Sequence, residues 1–188
     1  FEFYSGESQA FNDTLVATLD ACSQDPACAE DMNGDSLAAY DQLAVLLDGH
    51  PVRFHFPLPR GDPASRSFTL AGLETTAAEQ MYNESDRMMF NRALAAYASR
   101  QDAAPLARLL YNTLGLDPLT LAVTPDPTWS DGVFYSVECQ DYSFPGKTPN
   151  EKANLYIQAG KEVVATVPRL ASYIFFGDLP CVYWPNAP

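Results

Sequence analysis

Glu138 and Asp141 stand three positions apart in the run Asp131-Gly132-Val133-Phe134-Tyr135-Ser136-Val137-Glu138-Cys139-Gln140-Asp141-Tyr142-Ser143-Phe144. On a helix this spacing puts both carboxylates on one face, a turn apart. Carboxylates held together on an aromatic wall would grip an ammonium group through charge, hydrogen bonds and the ring faces. Tyr142 directly follows the pair and belongs to the same candidate substrate-binding set. The plainer alternative for these residues is a solvated helix face or a cap beside a disulfide.

Groups that break bonds are harder to find. A serine nucleophile would sit in Gly-x-Ser-x-Gly, whose small residues allow the strained elbow that exposes the hydroxyl; the motif is absent. His50 and His55 are the only histidines. His50 lies in a Gly-His-Pro turn and His55 on the outward side of a predicted strand, positions that suit surface structure better than a general base. No Walker or dinucleotide fingerprint occurs, and no cofactor is expected. None of the cysteine spacings is Cys-x-x-Cys and both histidines are distant in sequence, so no metal site is expected either. The chain by itself is expected to be catalytically inactive.

The elements that would position the pair follow from apolar periodicity. Phe11, Leu15, Leu19 and Cys22 mark one helical stripe, and Leu37, Tyr40, Ala44 and Leu47 a second, stopped at Gly49. The period then changes to two. Val52, Phe54, Phe56 and Leu58 alternate as in a strand, and Ser67-Phe68-Thr69-Leu70 returns as its partner, giving a small β-hairpin over about residues 52–70. Helical spacing resumes at Leu70, Leu73, Ala77 and Met81. It continues at Phe90, Leu94 and Tyr97 behind a cap at Ser85, and at Leu106, Leu109, Leu110 and Leu114 behind Asp102, closed by Gly115. Val133 to Cys139 reads equally as a strand or as a helix capped from Ser130-Asp131. The strongest start signal is Thr148-Pro149-x-Glu151, a cap with proline in the first turn and a capping-box glutamate. That helix is expected to turn Ile157, Gly160, Val164 and Val167 inward. The fold class expected is mainly α: a single helical domain over residues 1–188 with one hairpin.

Composition sets the surroundings. With 188 residues, 47% hydrophobic and 19% charged, the chain is globular rather than disordered. A net charge of -13 opposes binding to nucleic acid or to anionic membranes, and suits a cationic or amine-bearing ligand. A soluble acidic surface would read the same way. Cys22, Cys28, Cys139 and Cys181 form an even set. A turn-forming stretch separates the first two, which favours a local bridge and leaves Cys139 with Cys181. Buried free thiols are the alternative. Two disulfides would imply an oxidising, secreted or extracellular setting. Sequons at Asn12 and Asn83 fit that setting without adding much.

Four segments in order carry a resemblance. Gly132-Val-Phe-Tyr-Ser-Val-Glu-Cys-Gln-Asp141 resembles the "G-x-x-x-[AS]-[IV]-x-C-x-[DE]" segment of tripeptidyl-aminopeptidase-like α/β-hydrolases, secreted relatives of proline iminopeptidases. Cys22-Ser-Gln-Asp-Pro-Ala-Cys28 resembles their "C-x-x-D-P-x-C" region, Pro51-Val52 the start of a "P-V" strand, and Cys181-Val-Tyr-Trp184-Pro185 a "C-x-x-W-P" ending. The resemblance spans nearly the whole chain. It implies a helical cap, or lid, lying over the active site of a hydrolase, with the serine before Phe1 and the aspartate and histidine after Pro188. The partners it implies are the catalytic core of the same polypeptide and a peptide substrate whose free N-terminus the cap helps to bind. Asp141 falls on the family's acidic position. Tyr142 stands where many relatives carry a second acid, leaving Glu138 as the substitute. From a different class, a free-standing secreted helical protein binding a partner through its acidic face is the other expectation.

Overall fold

The computed structural model describes residues 1–184, so Pro185 of the closing motif lies outside the described residues. The fold is mainly α with a single two-stranded antiparallel hairpin and the two disulfides Cys22–Cys28 and Cys139–Cys181. Two compact units make up the chain: one is Asp13–Thr124, the other Phe1–Asn12 with the chain from Pro125 onward.

Short polar side chains start the helices by taking up backbone N–H groups that have no partner in the first turn. In the unit of residues 13–124, Asp25 caps α2 (Pro26–Asp31), which follows α1 (Glu2–Gln24). Asp35 caps α3 (Ser36–Gly49) by accepting from the Ala38 N–H. The hairpin pairs β1 (Val52–Phe56) with β2 (Ala64–Phe68), Val52 opposite Phe68 and Phe56 opposite Ala64. The second strand ends before Thr69 and Leu70 because the Thr69 hydroxyl caps α4 (Leu70–Glu79). Asn83, rather than Ser85, caps α5 (Glu84–Arg100). Asp102 does serve α6 (Ala104–Thr113), accepting from the Ala104 N–H, and Gly115 closes that helix at φ +60.

Leu15, Leu19, Tyr40, Leu43, Phe56, Phe68, Leu73, Phe90 and Leu94 are buried and form this unit's core. α4 is buried from Gly72 to Ala78, and its small residues permit close approach. A Cβ at Gly72 would lie 3.1 Å from Leu110 Cδ2. The inner face of α6 is not the leucine row read from the sequence. Leu106 is buried, but Leu109 and Leu110 are half-buried and Leu114 is exposed, while Ala104, Ala107 and Tyr111 turn inward. Tyr111 sets this rotation by packing on Phe56 at 5.2 Å between ring centroids.

The other unit joins the first turns of α1 to α7 (Asp131–Asp141), α8 (Pro149–Thr166), α9 (Ala171–Phe176) and a 3-10 turn over Leu179–Tyr183. The segment that read equally as strand or helix is helical, since the Ser130 hydroxyl accepts from the Val133 N–H. Thr148 and Glu151 begin α8 as expected. The Thr148 hydroxyl accepts from the Glu151 N–H, and the Glu151 carboxylate accepts from the Lys147 N–H. Its buried stripe is Ala153, Tyr156 and Gly160 with Val167 beyond, so Ile157 and Val164 sit only at the edge. Tyr156 decides this face. It stacks on Phe175 at 4.7 Å and donates its hydroxyl to the Phe175 carbonyl. Tyr4, Phe144, Tyr156, Phe175 and Val182 surround the Cys139–Cys181 bridge in a core that is largely aromatic.

Candidate functional site

Three carboxylates beside this aromatic core act on one another electrostatically, each from a different segment. α1 brings Glu7, one turn after Tyr4; α7 brings Glu138; and the link between α9 and the 3-10 turn brings Asp178. The Cys139–Cys181 bridge fixes the last two, because Glu138 precedes Cys139 and Asp178 stands three residues before Cys181. All three are half-buried.

Their mutual influence is visible in their acidities. Burial first, then Glu138 and Glu7, push the Asp178 carboxyl up to about 6. Burial and then Glu138 raise Glu7, and burial and then Asp141 raise Glu138. Every charge acting on the three is another acid, and among the described residues no lysine, arginine or histidine pairs with them. Half-buried carboxylates without cations are an unfavourable arrangement that a bound cation would relieve.

Tyr4 lies beneath them. Its ring is 3% exposed and its hydroxyl, though buried, has no hydrogen-bond partner. Burial, followed by the charges of Asp178 and Glu138, then Tyr142 and Glu7, drives the phenol upward. A buried hydroxyl left unpaired costs about 1–3 kcal/mol. Tyr142 completes the wall, stacked on Phe3 at 4.5 Å and tilted against Tyr4 at 5.5 Å.

Of the residues singled out from the sequence, Glu138 and Tyr142 stand in this cluster. Asp141 is exposed on its rim, acting on Glu138 and Tyr142 but not on Asp178 or Glu7. Glu7 and Asp178 were not among the candidates. A signal existed for each: Glu7 is one helical turn from Tyr4, and the expected Cys139–Cys181 bridge draws the neighbourhood of Asp178 toward Glu138. His50 and His55 are exposed in the other unit, on the cap of α3 and on β1.

Carboxylate acceptors beside aromatic rings are the two kinds of contact an organic ammonium uses. Among the described residues no group of three histidine, cysteine or carboxylate side chains converges closely enough to hold a metal ion, and no helix is long and apolar enough to cross a membrane. The chain matches no family model, no curated protein and no solved structure. The likeness to tripeptidyl-aminopeptidase-like hydrolases therefore rests on the four sequence segments alone.

Proposed function

We propose that this chain is the cap region of a secreted, tripeptidyl-aminopeptidase-like serine hydrolase, inactive by itself, which covers the active site and binds the free N-terminus of peptide substrates. The observation that carries the reading is the mutually repelling set of Glu7, Glu138 and Asp178, which also acts on the unpaired Tyr4 hydroxyl, with no cation pairing with the set among the described residues. A peptide ammonium would supply that cation and donate to the carboxylates, while the Tyr4 oxygen accepts a further N–H. An N-acetylated peptide offers neither charge nor enough donors. Two disulfides are compatible with secretion.

The test is calorimetric titration of the purified chain with a tripeptide amide and with its N-acetylated counterpart. Binding of the free amine alone, weakened by Glu138→Gln, is the expected result. Equal affinity for both peptides would refute the amine reading. Whether the chain is a cap is decided separately by its coding sequence: Gly-x-Ser-x-Gly upstream with an aspartate and histidine downstream is expected. A signal peptide ending at Phe1 and a stop after Pro188 would instead favour the free-standing acidic binding protein.

A further inference from the structure

The unit of residues 13–124 carries a site of opposite charge. A cavity of about 380 Å³ opens between α5 and α6, beside Pro57 at the end of β1. Arg92 and Arg100, two turns apart on α5, line it together with Arg108 of α6. Met89, Leu109 and Pro57 supply apolar wall between them. The chain has 11 basic residues against 24 acidic ones, so three arginines on a single cavity are a strong local reversal of its overall sign.

None of the three is committed to an ion pair among the described residues. Arg108 lies over the Phe56 ring at 5.5 Å, a contact that holds the guanidinium while leaving its N–H edge free. Arg100 reaches only the Ser99 hydroxyl at 3.4 Å. Asp102 is the one acid lining the cavity; one of its oxygens accepts the Ala104 N–H at the start of α6, and its charge offsets one of the three arginines, leaving the lining net positive. The N-terminus of this helix adds partial positive charge to the same wall.

We propose that this cavity binds a small amphipathic carboxylate, its head group held by Arg92, Arg100 and Arg108 and its apolar tail against Met89, Leu109 and Pro57. Guanidinium groups match the planar, bidentate geometry of a carboxylate. The volume lies at the low end of the range for small-ligand pockets. A polyanion is disfavoured because the rest of the chain would repel it. The apolar wall separates this chemistry from that of a bare inorganic anion, which would leave it uncovered.

The test uses the full chain and titrates it with octanoate, octylamine and inorganic phosphate, reading heat and the methyl NMR shifts of Ala93, Ala96 and Leu109. Saturable, one-to-one binding of octanoate with shifts at those methyls is expected, and octylamine and phosphate should not saturate the site in the same range. Arg92→Gln with Arg108→Gln should weaken octanoate at least about tenfold, since each removes charge-assisted hydrogen bonds. Both side chains are exposed, and circular dichroism verifies the fold of the variant. No saturable octanoate binding, shifts elsewhere, equal binding of octylamine or phosphate, or an unaffected folded double variant would each overturn the proposal. Should the variant fail to fold, the shift map of the parent chain decides.

Discussion

Replacing Asp178 by asparagine should stabilise the protein at neutral pH and leave it unchanged in acid. The carboxyl is raised from 3.8 to about 6 by burial and by Glu138 and Glu7. Below pH 3.8 it is protonated in both folded and unfolded chains and contributes no difference. Between 3.8 and about 6 the unfolded chain gives up the proton while the folded chain keeps it, so stability falls as pH rises through this window. Above it the penalty is complete. At full value the displacement corresponds to about 3 kcal/mol, and the partial solvent exposure of Asp178 reduces the expectation to about 1–2 kcal/mol. Asparagine keeps the shape and removes the charge, and the Asp178 side chain caps no helix. Thermal unfolding of both proteins from about pH 3 to pH 8 is the assay. The two should melt together at the acid end and separate toward neutrality, the variant higher by about 2–8 °C for a chain of this size. A difference that does not vary with pH, or a variant less stable at pH 8, would refute the assignment of Asp178 to a strained acidic cluster.

Loss of the Cys139–Cys181 bridge by paired serine substitution removes a cross-link spanning 42 positions, worth about 4 kcal/mol in a chain-entropy treatment. Urea unfolding should show a larger loss than for the Cys22–Cys28 pair, which spans 6. Gly160→Ala would place a Cβ 2.9 Å from Phe175 Cδ1 and nearer still to the Phe176 ring. It should cost about 1–3 kcal/mol by overpacking, and an unchanged melting temperature would show that the rings yield freely.

The parts of the fold legible in the sequence were those decided within a turn of chain. Asp102, Thr148 and Glu151 announce helix starts because a cap needs only its own N–H neighbours. The hairpin was legible because alternation at Val52–Phe56 has no helical counterpart. Which face of a helix turns inward was less so. In α8 the sets Ala153-Tyr156-Gly160 and Ile157-Gly160-Val164 both satisfy helical spacing, and only Phe175, arriving later in the chain, selects the first. The same limit governed the site. Glu138 and Tyr142 share one local segment, whereas Glu7 and Asp178 become their neighbours only when α1 and the 3-10 turn pack against α7. Asp141 held the more conspicuous motif position, yet it faces solvent.

The Cys139–Cys181 bond also opposes the repulsion within the acidic cluster. Glu138 and Asp178 repel each other, so the chain gains nothing electrostatic by bringing them together, and the adjacent bond must hold them there. Aromatic packing and the Tyr156–Phe175 hydrogen bond act in the same direction as the bond. The covalent link thus acts against the charges it joins: it holds together two acidic segments that electrostatics alone would separate.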